Sequence, residues 1–434
     1  MELYSTNGKV ENVNLKQAVF QGLPADNGLY MPTTIPKLDK EFIENIEKYD
    51  FQTIAYEITK TLIQGEIPDE DIAEIIKDAI DFDAPLIPVT DKMFCLELFH
   101  GPSLAFKDFG ARFMSRLMSY YLQKEDKEIN ILVATSGDTG SAVAQGFLDA
   151  KGIKVTILYP SGKVSLNQEK QLTTLGKNIT ALEIDGVFDD CQALVKQAFL
   201  DKELNEKLNL SSANSINIAR LIPQSFYYAY AYSRLKKTNK KTVFCVPSGN
   251  FGNICGGMIA REMGLPFDHF VVATNANDIV PSYLKTGLFE PQPSVATVSN
   301  AMDVGNPSNF SRFLALHGND YALAKSKVTG KSYNDEITLY AVKKVYDKTG
   351  YIMCPHTAVA FLGLSDYMKE SGFDGNGVFL STAHPSKFAD IIEDVIGEEI
   401  ELPKRLKDIV NKEKVSIPMS KDFGEFKDWL LKNG

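Results

Sequence analysis

From Met93 onward the sequence alternates short apolar runs with stretches of helical period, and few folds accommodate that alternation. Met93–Phe99, Ile129–Ala134, Lys154–Tyr159, Ile179–Ile184, Thr242–Val246, His269–Thr274 and Gly377–Ser381 read as strands. Between them Phe106–Leu122, Ser141–Ala150, Ser165–Leu175, Asp189–Phe199, Asn217–Leu235, Ile254–Met263, Asp335–Tyr346 and Thr357–Met368 space apolar residues as helices do. This pattern predicts an α/β fold with open, mainly parallel sheets wrapped by helices. In such sheets ligands bind beyond the carboxyl ends of the strands.

The regions outside this alternation set the expected domains. Residues 1–90 read as a separate, mostly helical unit, with helices over Phe51–Ile63 and Glu70–Ile80 and a turn at Asn27-Gly28. Pro85 and Pro88 then interrupt the pattern. Residues 91–395 form the α/β domain in two subdomains, and 396–434 a helical extension with two short charged helices as a cap. A chain of 434 residues has room for two or three such units.

Charge and cysteines narrow the partners. The formal net charge of -10 argues against nucleic acid or an anionic membrane as the main partner. Cys95, Cys191, Cys245, Cys255 and Cys354 are scattered, with no Cys-x-x-Cys pair, which points to a reducing compartment and no structural zinc. No apolar run approaches the ~20 residues of a membrane span. Met1–Asn7 carries no basic-then-apolar leader, so a cytoplasmic location is expected. There is no His-Glu-x-x-His and no ligand-spaced carboxylate cluster, so no metal is expected.

Three stretches carry chemistry. Lys107 sits among Leu104, Phe106, Phe109 and Phe113. An ammonium in apolar surroundings loses hydration, so its pKa falls and the neutral amine becomes a nucleophile near neutral pH. The stretch alone reads equally as an amphipathic helix with a snorkelling lysine. Two loops change the balance. Thr135–Ser141 and Pro247–Asn253 each follow a strand, hold two glycines and open a helix. Glycines permit close backbone approach, and the amides of a helix start attract anions. Neither loop is a Walker A or a Gly-x-Gly-x-x-Gly sequence. Two anion sites with a candidate imine lysine fit a phosphate-bearing aldehyde cofactor, pyridoxal 5′-phosphate, and an anionic small-molecule substrate.

The motifs Tyr4-Ser5-Thr6, Gly28-Leu29-Tyr30, His100–Arg112, Thr135–Ser141, Ser212–Asn217, Pro247–Gly252, Ala301–Val304 and Thr382–Pro385 run through nearly the whole chain. In these motifs it resembles the threonine synthases with an N-terminal extension, in the tryptophan-synthase-β-like (fold type II) group of pyridoxal-phosphate enzymes. The resemblance implies a lyase that turns O-phospho-L-homoserine and water into L-threonine and phosphate. It implies that Lys107 carries the cofactor and later moves protons. Ser248, Gly249, Asn250, Phe251, Gly252 and Asn253 would hold the cofactor phosphate, and Thr382 would face the pyridine nitrogen. Asp138 occupies a position beside the ring hydroxyl, where it either accepts a hydrogen bond or shares a proton. Thr135, Ser136, Gly137 and Thr139 would take the substrate carboxylate. Arg112, Arg220, Ser212, Asn214, Ser215 and Asn217 are the candidates for the substrate phosphate. A monomer is the family expectation, with a dimer left open. The alternatives are a serine/threonine dehydratase-like lyase and an inactive ligand-binding paralogue. Without the resemblance, Thr382 reads as a strand-end hydroxyl that caps a turn. No catalytic role is expected of His100, His356 or His384, Lys163 reads as a surface residue, and Phe226–Tyr230 reads as core packing.

Overall fold

The computed structural model describes residues 1–123 and 128–434. Two sheets organise it. One has six strands in the order Val328–Ser332, His269–Thr274, Thr242–Pro247, Asn376–Ser381, Met93–Glu97 and Leu86–Pro88, and only the last pairing is antiparallel. The other has five parallel strands, ordered Ile417–Met419, Ile179–Ile184, Ile153–Pro160, Ile129–Ala134 and Leu210–Ser212. Helices cover both faces, so central strands such as Thr242–Pro247 and Asn376–Ser381 are buried throughout. Among the described residues, no helix is long and apolar enough to cross a membrane.

The strands expected from the sequence are all present, with ends shifted by no more than two residues. Four elements differ in kind. The segment Asn217–Leu235 is not one helix: it breaks into Ile218–Leu221, a 3-10 turn at Ile222–Ser225, and Phe226–Leu235. Pro223 in the turn has no N–H to continue the ladder. The N-terminal unit contains, besides its helices, an antiparallel sheet of Val13–Asn14, Glu2–Ser5 and Tyr30–Pro32. Strands of two to four residues are too short to show a period. Val328–Ser332 adds a further edge strand that the polar Thr329-Gly330-Lys331-Ser332 run conceals. The C-terminal extension is also not purely helical. Between its helices Lys404–Val410 and Phe423–Asn433, the strand Ile417–Met419 pairs with Leu182–Ile184 and closes the edge of the five-stranded sheet.

The N-terminal unit packs on the helix that starts at Lys107. Phe51 stacks on Tyr230 at 4.6 Å between ring centres, and Phe109 meets Phe82 at 4.7 Å and Tyr227 at 5.1 Å. Polar ties fix the docking. Asn217 Nδ2 donates to the Val19 carbonyl at 2.8 Å, and Ser211 Oγ to that of Phe20 at 2.8 Å. Arg312 is fully buried, donates twice to the Tyr30 carbonyl at 2.9 and 3.2 Å, and reaches Asn309 Oδ1 at 2.9 Å. Its burial is tolerable only because these acceptors replace water. Arg312→Met is expected to lower unfolding free energy by about 3 kcal/mol, since Tyr30 and Asn309 lose their donor. Urea unfolding of both proteins checks this.

Candidate active site

Three neighbouring strands of the six-stranded sheet end at one cleft. Thr242–Pro247 delivers the loop from Ser248, Asn376–Ser381 delivers Thr382, and Met93–Glu97 leads through a turn into Lys107. In that turn Leu104 has φ 59, a left-handed conformation that a leucine rarely adopts. The Leu104 carbonyl accepts from the His384 amide at 3.0 Å, and the Phe106 amide donates to the Thr382 carbonyl at 2.9 Å. These bonds hold the turn against the end of the adjacent strand. Asp138 and Thr139 close the cleft from the five-stranded sheet, following Ile129–Ala134.

Lys107 is the first residue of its helix and faces the cleft with Phe106 and Gly110. Burial is the main force lowering its pKa; Lys387 and Arg220 push the same way and Asp138 opposes them. Phe109 and Phe113 do not surround the amine as expected. At about 100° per residue, positions two and six further along lie on the far side of the helix. There they pack against Phe51, Phe82, Tyr227 and Phe226.

The Ser248–Asn253 loop is shaped for an anion. Phe251 sits at φ 64, and the helix Gly252–Glu262 starts directly after it. Among the described residues, the amides from Gly249 to Asn253 have no acceptor, whereas the Ser248 amide is used on the Ala273 carbonyl at 2.9 Å. A Cβ on Gly249 would lie 3.0 Å from the Met302 backbone, so glycine lets the Ala301–Met302 segment pack closely over the loop. The Ser248 hydroxyl donates to the Val246 carbonyl at 3.0 Å, and Asn250 Oδ1 accepts from the Ser308 amide and hydroxyl, which fixes both side chains at the cleft edge. Asn253 is held by its Oδ1, which accepts from Tyr227 at 2.8 Å and Tyr228 at 2.7 Å, and its Nδ2 is left without a partner. The Phe226–Tyr230 stripe is therefore core with a function, since two of its hydroxyls orient a cleft residue.

The second loop divides its residues. Thr135 Oγ1 accepts from the Gly137 amide at 3.0 Å and the Gly140 amide at 2.8 Å, which makes it a brace within the loop. Gly137 has φ 144, and a Cβ there would strike Gln168 at 2.5 Å. Ser136 is exposed and away from the cleft lining, where Asp138 and Thr139 stand. Burial pushes the Asp138 carboxyl up, but Lys387, Lys107 and Gln168 outweigh it and hold it well below the usual range. Lys387, whose side chain is wholly buried, pairs with Asp138 Oδ1 at 2.5 Å.

The candidates for a second anion also divide. Arg220 and Ser215 line the cleft. Arg220 is 3 % exposed, forms no salt bridge among the described residues, and leaves Nε without a partner. Burial lowers it to about 10, with Asp108 opposing. Asn217 is elsewhere: it caps the helix at Ile218 and bonds Val19. Ser212 and Asn214 are half-buried and outside the lining, where Ser212 Oγ accepts from the Asn214 amide. Arg112 is a correction. Five residues after Lys107 is about 140° around the helix, which turns it away from the cleft. Its guanidinium donates to the carbonyls of Ala79 and Asp78 at the end of the helix Asp69–Ala79 and pairs with Asp81 at 2.7 Å.

Sequence reasoning missed Lys387, Gln168 and Gln224. Lys387 follows Pro385 by two residues, so the Thr382–Pro385 motif pointed towards it. Gln224 lines the cleft and leaves Oε1 unpartnered. His356 also lines the cleft, although no role was expected of it; its Nε2 accepts from the Ala301 amide at 3.2 Å.

A family profile described as "Pyridoxal-phosphate dependent enzyme" matches residues 87–382. Profiles for the threonine synthase N terminus and C-terminal region match 2–80 and 357–429. The chain belongs to the threonine synthase family. The threonine synthase of Escherichia coli (strain K12) is 43% identical, with 99% of each chain covered. That of Buchnera aphidicola subsp. Schizaphis graminum is 44% identical over 99% of this chain and 100% of its own. A crystal structure of the Escherichia coli threonine synthase superposes with a TM-score of 0.92 at 42% identity, covering 100% of both chains. The PLP-bound threonine synthase of Brucella melitensis gives 0.93 at 33%, covering 100% of this chain and 99% of its own. A Solanum lycopersicum threonine deaminase, at 17% identity and a TM-score of 0.57, covers 76% of this chain and 93% of its own and shares the fold alone.

Two predictions follow from these buried charges. Arg112→Ala is expected to cost about 2 kcal/mol of stability, as two carbonyls lose a charged donor, and to leave the KM for substrate within about twofold. Denaturant unfolding and steady-state kinetics separate these effects. Burial holds His269, His356 and His384 at about 4, below the ordinary imidazole value of 6.5. The unfolded chain therefore binds more protons between these values, and stability present above 6.5 is lost as pH falls towards 4. Asp108, raised by burial to about 6, acts in the opposite sense, as do Asp303 and Glu57, which burial also raises, while His317, lowered by burial, adds to the other histidines. Unfolding midpoints measured at about pH 7 and about pH 5 should show the loss.

Proposed function

We propose that this threonine synthase family member converts O-phospho-L-homoserine and water to L-threonine and phosphate, with pyridoxal 5′-phosphate as its cofactor. One observation carries the reading: a desolvated lysine, a row of free loop amides and a buried arginine with no carboxylate partner among the described residues share one cleft. The residues fit the cofactor. Its phosphate suits the amides of Gly249 to Asn253 at a helix start, with Asn253 Nδ2 as a further donor. Bound there, pyridoxal phosphate supplies an aldehyde for covalent attachment and an electron sink for the substrate's carbon skeleton.

The chain supplies the rest. Lys107 would hold the cofactor through its amine, and as a free amine it would remove and return protons at the substrate carbons. Its lowered pKa keeps the free amine available as a base near neutral pH. Thr382 presents a neutral hydroxyl to the ring nitrogen, which favours ring protonation less than a carboxylate would. The amides of Asp138 and Thr139, at the start of the helix Asp138–Phe147, receive the substrate carboxylate. Arg220 and Ser215 receive the substrate phosphate. Gly110 makes room for this arginine, since a Cβ there would lie 2.7 Å from Arg220 Nε. Five free cysteines, all buried, fit a protein that works in the reducing cytoplasm.

Phosphate release from O-phosphohomoserine, with threonine identified as the product, tests the assignment directly. Lys107→Ala should lower kcat by on the order of 10²–10⁴-fold or more. Arg220→Ala should raise the substrate KM about ten- to a hundredfold and leave cofactor uptake, read by absorbance, nearly unchanged.

A further inference from the structure

The pair of Asp138 and Lys387 is the least expected feature of the cleft. A lone carboxylate beside an electron-rich ring oxygen would repel it, yet Asp138 is among the cleft residues. Its two oxygens are used differently. Oδ1 accepts from Lys387 Nζ at 2.5 Å and from Gln168 Nε2 at 2.9 Å. Among the described residues no donor reaches Oδ2. Lys387 is itself fixed from behind, donating to the Ser103 carbonyl at 3.0 Å, which also accepts from Gln171 at 3.1 Å. Its side chain has no exposure and takes no part in the cleft surface. Lys107, His356 and Cys354 are the other titratable groups that act on Asp138.

We propose that Lys387 is a positioning residue for the cofactor: paired to Oδ1 of Asp138, it adds no net charge to the cleft and leaves Oδ2 as a fixed acceptor for the hydroxyl of the pyridoxal ring. The inference rests on the pyridoxal-phosphate reading of the site and adds a partner that lies outside the cleft. A buried ion pair is a costly way to present one acceptor, because both ions lose hydration. It is coherent here because Gln168 and Ser103 complete the hydrogen bonding of both partners. The pair also keeps the acceptor ionised. Without Lys387, burial would favour a protonated Asp138, which would donate where an acceptor is required.

The test uses the full chain and pyridoxal phosphate itself. Titration of the unloaded parent should give a saturable absorbance band, and that band should stay constant from about pH 6 to about pH 9, since Asp138 is ionised throughout. Lys387→Met should bind pyridoxal phosphate about tenfold more weakly, the scale of one charge-assisted hydrogen bond, and its band should change within that pH range. The double variant Lys387→Met/Asp138→Asn replaces the pair by a neutral amide. It should recover binding to within about threefold of the parent and a band constant with pH. A merely structural pair would change thermal stability in both variants and leave affinity and pH profile as in the parent; that result overturns the proposal. A double variant no better than Lys387→Met overturns it as well. Where Lys387→Met yields no folded protein, the double variant decides alone: affinity within threefold supports the proposal and a tenfold loss rejects it. Failure of the parent to develop any band would instead reject the pyridoxal-phosphate reading, and this inference with it.

Discussion

The cleft depends on the register of three parallel strands. Thr242–Pro247, Asn376–Ser381 and Met93–Glu97 lie side by side, with Cys245 opposite Phe379 and Phe379 opposite Cys95. That alignment brings three distant stretches of sequence to one end of a sheet. It places the glycine loop from Ser248, the Thr382 hydroxyl and the buried amine of Lys107 within one pocket. A register shift of one residue would turn alternate side chains to the other face and dismantle it. The buried apolar strands thus define the position of the chemistry more firmly than any polar contact inside the pocket.

A second layer of constraint comes from charge. Lys107, Asp138, Lys387 and Arg220 occupy one poorly solvated region, and their balance is uneven. Asp138 and Lys387 neutralise one another. Arg220 has no carboxylate partner within bonding distance, so the region carries a net attraction for anions. Asp108 reinforces the local frame by accepting from the Ser103 amide at 2.9 Å, although its Oδ1 has no partner. A buried cation left unpaired is costly in isolation and becomes useful where a charged ligand completes it.

The fold was legible in the sequence wherever period and length were adequate. The alternation from Met93 onward gave the sheets and most helices, because runs of six residues or more display their spacing. Short elements escaped. Glu2–Ser5 and Tyr30–Pro32 take their structure from each other, a long-range pairing with no local signal. The site was legible where a motif forces a backbone shape: Gly249 beneath Met302, Gly137 at φ 144, and Lys107 at a helix start. It was misleading where a side chain's direction depends on helical phase. Arg112 and Phe113 lie near Lys107 in sequence and on the opposite side of the helix in space. Lys387 was missed for another reason: the Thr382–Pro385 motif leads up to it, but a lysine in a proline turn carries no mark of burial until the fold surrounds it.

The strand Ile417–Met419 has an effect on biogenesis. It covers the ladder of Ile179–Ile184, with Pro418 set opposite Glu183 where an edge strand tolerates a missing donor. Leu182, Ile184, Met419, Phe426 and Leu430 then share one apolar cluster. During translation the covering residues emerge long after the strand they protect. Until they arrive, a nascent chain presents an open backbone edge and an uncovered greasy face, both of which invite pairing with neighbouring chains.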